Sequence, residues 1–92
     1  MKFAEISVTD EGFAVQGAVS FDNVVALRFQ GEKLLITLKS AVVDLSEMKD
    51  QDASALSLLL CWERFARKQN CVLSVTHKSI SLQRMSKMFG LL

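Results

Sequence analysis

The sequence predicts a small α/β domain with helices covering a mixed sheet, and three observations point to it. Strand-like and helix-like segments alternate in the order β-β-α-β-α-β-α, which calls for parallel strands joined by crossover helices plus one antiparallel hairpin. The chain has 92 residues, half of them hydrophobic, enough for one modest core and no second domain. No proline, linker or repeat interrupts the pattern.

Residues 3–8 alternate as a strand, and Thr9, Asp10, Glu11 and Gly12 supply turn chemistry, with Gly12 open to a positive φ. Phe13, Val15, Gly17 and Val19 then share one face of a second strand, which completes a hairpin. Ser20 or Asp22 is suited to cap a helix over residues 22–36, whose Val24, Leu27, Gly31, Leu34, Leu35 and Leu38 recur at spacings of three and four. Gly31 costs about 1 kcal/mol there relative to alanine and marks a bend or an end. Ile36, Thr37 and Leu38 also suit a strand, but the spacing favours helix.

Residues 41–46 are short, β-branched and almost continuously apolar, the pattern of a strand covered on both faces. A polar loop over 47–52 leads into a helix over 53–68, closed by Gln69 and Asn70. Residues 71–76 form another strand. A last amphipathic helix over 79–89 puts Leu82, Met85, Met88 and Phe89 on its core side, with Gly90 as its C-cap.

Composition narrows the function. Eleven Lys and Arg against ten Asp and Glu give a net charge of +1, whereas domains built to hold nucleic acid or anionic membranes carry a basic excess. Mean hydropathy of +0.26 excludes disorder. The longest apolar run, 58–62, is far too short to span a bilayer, and the first residues lack a signal peptide's apolar stretch. A cytoplasmic protein is expected, with Cys61 and Cys71 reduced and packed as small hydrophobes.

Parts for catalysis are few. His77, beside Lys78 at a strand end, lacks the second histidine or neighbouring cysteine of a zinc set and reads as a surface residue. Phosphate-loop, dinucleotide and nucleophile-elbow motifs are missing from the sequence. No enzymatic activity, metal or cofactor is expected. Arg64, Arg67 and Lys68 read as cations at a helix C-terminus.

The helix over 53–68 is apolar over two arcs. Ala55, Leu58, Leu59, Trp62, Phe65 and Ala66 suffice to face a sheet, while Ala53, Leu56 and Leu60 form a second patch flanked by Arg64 and Arg67. That patch either slides beneath a neighbouring helix or binds another protein.

Val42-Val43-Asp44-Leu45-Ser46, the polar loop, and then Asp52-Ala53-Ser54-Ala55-Leu56-Ser57-Leu58-Leu59-Leu60 resemble the signature of STAS domains, V-D-L-S…D-S/T-x-G-L-x-x-L-L. Gly17 to Asp22 entering the first helix, Trp62-Glu63, and Leu82 with Met85 agree with that frame, so the resemblance spans nearly all of residues 1–92 as a single domain. Within the family the chain is most similar to the small STAS subunits of Mla-type phospholipid ABC transporters, and more distantly to bacterial anti-sigma-factor antagonists.

The resemblance implies a non-catalytic cytoplasmic accessory subunit that binds the transporter's ATPase subunit and supports its assembly and activity in maintaining outer-membrane lipid asymmetry. Such a subunit reaches the inner membrane only through the complex and inserts no segment of its own. Asp52, Ala53, Ser54, Leu56 and Leu60 are the partner-binding residues this reading selects, and the sequence leaves open whether an isolated copy forms a homodimer through its apolar patch. In phospho-regulated antagonists the residue after the loop aspartate is the phosphorylated Ser or Thr. Here it is Ala53, and Ala55 stands where the family carries Gly. Ser54, rotated by about 100° around the helix, is a poor substitute acceptor. This departure favours the transporter branch over the alternative, a partner-switching antagonist that binds an anti-sigma kinase; a small-ligand or nucleotide-binding module lacks a basic phosphate loop.

Overall fold

The computed structural model describes residues 4–50 and 54–88. Among them, the chain runs through β1 (Glu5–Val8), β2 (Gly12–Val19), α1 (Val24–Leu35), β3 (Ser40–Asp50), α2 (Ser54–Lys68), β4 (Val72–Thr76) and α3 (Ile80–Met88). The strands form one sheet in the order β1-β2-β3-β4, antiparallel between β1 and β2 and parallel thereafter. The expected element order and mixed sheet are both present. Phe3, Phe89 and Gly90, to which the sequence assigns a strand start, a core position and a cap, lie outside the described residues.

One cluster holds the core. Phe13, Val15 and Val19 of β2, Ala41, Val43 and Leu45 of β3, and Leu73 of β4 point into it, with Leu27 and Leu35 of α1, much of α2, and Leu82 of α3. All three helices therefore cover the same face of the sheet. This corrects the expectation that β3 is covered on both faces: Val42 and Asp44 are only half-buried and Ser46 is exposed. The apolar run reflects one buried face plus Val42, which lines a shallow depression on the opposite face with Thr9, Asp10, Glu11, Asp44 and Thr76.

The predicted polar loop is also corrected, because β3 continues through Asp50. Ala14 pairs with Asp44 but Gln16 pairs with Glu47, so β3 carries one extra residue in a bulge. The backbone N–H of Ser46 donates to Asp44 Oδ1 at 2.9 Å across that bulge. The bulge shifts the side-chain alternation by one, so Met48 is the next residue to pack against the core while Glu47 and Lys49 face solvent.

Gly12 is required for space and not for a positive φ. A Cβ there would run into the backbone N and O of Val42, and the backbone of Val42 is tied to Glu11 O at 3.0 Å. The α1 cap is neither Ser20 nor Asp22 but Asn23. Its Oδ1 accepts from Ser20 N at 2.9 Å and its Nδ2 donates to Ala18 O at 2.8 Å, pinning the end of β2 to the helix start. At the C-terminal end of α2, Asn70 takes φ 56°, and Cys71 N donates to Ala66 O at 2.8 Å while Asn70 N donates to Arg67 O at 3.2 Å. That is a Schellman stop with asparagine in the left-handed position.

Gly31 neither bends nor ends α1. It is buried in mid-helix against Trp62, whose indole occupies the space a Cβ would need. The absent side chain lets α1 and α2 approach closely enough for Trp62 Nε1 to donate to Arg28 O at 3.1 Å. The indole also stacks edge-to-face on Phe13, with centroids 5.1 Å apart.

Candidate protein-binding surface

Parallel pairing brings the carboxyl ends of β2 and β3 together, with Val19 opposite Asp50. The chain then enters α1 from β2 and α2 from β3, so both helix N-termini sit at the same end of the sheet. Asp52 and Ala53, the first two expected partner-binding residues, lie in the connection outside the described residues. Ser54 and Leu56 are 6% and 9% exposed and belong to the buried interior, and Leu60 is half-buried against the core.

The outward placement expected for Leu56 is thus corrected. α2 packs between α1 and α3, and the second apolar arc of α2 is consumed by that packing, not offered whole to solvent. The residues of α2 that do reach solvent are Ser57, Arg64, Arg67 and Lys68, with Leu60, Cys61, Glu63 and Phe65 at the margin. Phe65, expected wholly in the core, is half-buried beside it.

α1 carries the feature that sequence reading missed. Val25, Phe29 and Ile36 are 57%, 49% and 60% exposed, and Phe21 at the entrance to the helix is 79% exposed. The guanidinium of Arg28 lies 4.6 Å from the centroid of the Phe29 ring, and Arg28 Nε pairs with Glu32 Oε2 at 3.4 Å. The signal was present as a second set of apolar positions four and seven residues apart, on the side opposite Leu27, Gly31 and Leu35.

On the open side of the sheet, His77 follows β4 with φ 61° and its Nδ1 lies 3.0 Å from Asp44 Oδ1. It is a surface residue, as expected. The Ser46 backbone N–H, then the Ser46 hydroxyl and the nearby His77, hold the Asp44 carboxyl below its ordinary value of 3.8 against a desolvation that pushes it up. The folded chain therefore binds fewer protons than the unfolded chain near that pH. Asp44 contributes stability that is complete above 3.8 and is lost as the pH falls through the lowered value. In urea melts at about pH 6 and about pH 3, Asp44→Asn should lose less stability on acidification than the wild type. An equal loss in both proteins would remove Asp44 from the acid response.

Cys61 and Cys71 are free thiols, half-buried and buried. Burial pushes the Cys71 thiol up, away from the reactive thiolate. Among the described residues, no helix is long and apolar enough to cross a membrane. The side chains of Met85 and Met88, expected on the core side of α3, lie outside those described.

The chain is thus a small α/β domain, a four-stranded mixed sheet with helices on one face and two helix starts at the carboxyl ends of parallel strands. The family model described as "Mlab, STAS domain" matches residues 5–92, and the chain belongs to the STAS domain family. The structure is similar to that of the anti-sigma factor antagonist SpoIIAA in its unphosphorylated form, with a TM-score of 0.72 at 15% sequence identity, covering 97% of this chain and 82% of that one. At that identity the likeness speaks for the fold. No curated protein matches the sequence at a significant level.

Proposed function

We propose that this chain is a non-catalytic cytoplasmic accessory subunit of an Mla-type phospholipid-transport ABC complex, binding the ATPase subunit and supporting its assembly and activity. The observation that carries this reading is the combination of Ala53 at the family's phosphate-acceptor position with a neighbouring Ser54 that is only 6% exposed. With no accessible hydroxyl at those two positions, the start of α2 acts as a standing contact surface and not as a phosphate switch. The description of the matching family agrees with this branch.

The contact is proposed to centre on Asp52, Ala53 and the rim of α2 at Ser57 and Leu60. Ser54 and Leu56 act from beneath by fixing the position of the first turn. The exposed Phe21 and Val25 at the start of α1 offer apolar area at the same end of the sheet.

Ala53→Glu tests the reading. The new carboxylate sits at a helix N-terminus, where the dipole tolerates it, so the circular dichroism spectrum and melting temperature should stay close to wild type. Binding to the ATPase subunit should fall at least about tenfold, because the charge must be desolvated in the contact. Intact-mass analysis of the chain from its native cells should show no phosphate. A stoichiometric phosphate on Ser54 that controls binding would instead favour the partner-switching antagonist.

A further inference from the structure

At about 100° per residue, Val25, Phe29 and Ile36 fall within roughly 40° of one another on α1. The buried set, Leu27, Gly31 and Leu35, lies on the opposite side of the helix. The outward stripe, with Phe21 at its end, presents on the order of 400 Å² of apolar surface to water. Two oppositely charged, exposed residues stand at the two ends of the helix: Asp22 just before it and Lys33 in its last turn.

We infer that, when no other protein covers it, this face is covered by a second copy of the chain, with the two α1 helices lying antiparallel about a two-fold axis near Phe29. A two-fold interface must be self-complementary, and this stripe is. Antiparallel packing sets Phe29 of one copy beside Phe29 of the other and brings Phe21 toward Ile36. It also brings the Asp22 end of each copy to the Lys33 end of the other, so the opposite charges meet across the interface. Arg28 already carries its own Glu32 at 3.4 Å, so it meets its symmetry mate as half of an ion pair and not as a bare charge.

The area fits a weak dimer. Covering the stripe on both copies removes roughly 800 Å² of apolar surface, and the aliphatic stems of Lys33, Arg28 and Gln30 bring the total toward the ~1,200 Å² low end of specific interfaces. An interface at that low end supports an association in the micromolar range and no tighter. Because the stripe begins beside the start of α2, the dimer also shields one margin of the partner surface proposed above; self-association itself does not depend on that reading.

The test is sedimentation velocity on the whole chain over roughly 5–200 µM, a range that covers micromolar association. The wild type should pass from monomer to dimer. Asp22→Lys alone and Lys33→Asp alone should each weaken the dimer about tenfold, since each replaces two attractions with two repulsions. Both sites are exposed, so folding is expected to survive either change. Mixing the two variants should restore association near the wild-type constant, because one copy then carries lysine at both positions and the other carries aspartate at both. A wild type that stays monomeric throughout, or two charge variants that dimerise as well as the wild type, or a mixture that stays as weak as its components, would overturn the inference. ATPase binding is not part of the measurement, so failure here leaves the proposed function standing, and the reverse.

Discussion

Gly31→Ala is expected to destabilise the domain by about 2–3 kcal/mol, even though alanine is the better helix former by roughly 1 kcal/mol. The added methyl would occupy the space filled by the Trp62 indole, at its Nε1, Cε2 and Cζ2 atoms. That ring cannot swing aside: it is fully buried, stacked edge-to-face on Phe13, and bonded through Nε1 to the Arg28 carbonyl. Either α1 and α2 separate or the indole leaves its rotamer, and both open the core where the two helices are closest. For a domain of this size the melting temperature should fall by roughly 10–20 °C. Trp62→Phe in the same background gives the methyl room, so the double variant should be less destabilised than the sum of the singles by about 1 kcal/mol or more. Simple additivity would mean that Gly31 and Trp62 do not share that space.

Leu56→Asp carries the second large effect. With Leu56 at 9% exposure and inside the core cluster, an aspartate there loses the apolar packing and strands a carboxylate without a partner. The cost is about 3–5 kcal/mol, a large share of the roughly 5–15 kcal/mol that holds a typical domain together. Loss of partner binding in Leu56→Asp would therefore report unfolding and say nothing of the contact. Ser57→Asp, at an exposed position one residue further along, should leave the urea midpoint nearly unchanged. If Leu56→Asp melts like the wild type, Leu56 faces outward and the first turn of α2 is rotated from the position described.

The sequence made the hairpin, the three helices and the parallel crossovers legible because each has one dominant period. It failed where two signals overlap. In β3 the bulge at Asp44–Ser46 breaks the alternation, and Glu47 to Asp50 then look like a loop although they pair with β2. α1 is apolar on opposite sides, and finding the stripe that includes Leu27 and Leu35 leaves Val25, Phe29 and Ile36 looking incidental. In α2 an apolar arc of three residues lies beside the main arc of six, and only the flanking helices decide that Leu56 is enclosed while Phe65 is half-open.

Gly31 illustrates the same limit. Propensity assigns it a cost, whereas its use is a contact with Trp62, a residue on a different helix. Of the candidate surface, the motif located the start of α2 and showed that Ala53 lacks a hydroxyl. Which side chains around it reach solvent depended on packing that no local pattern encodes.

The most direct test of the central claim is quantitative affinity capture of the chain from its native cells, comparing wild type with Ala53→Glu at matched expression. The account predicts that an ABC-transporter ATPase subunit is retained in stoichiometric amount by the wild type and lost with Ala53→Glu, while both proteins stay folded. Recovery of an anti-sigma kinase in place of the ATPase, or an ATPase retained equally by both proteins, would contradict it.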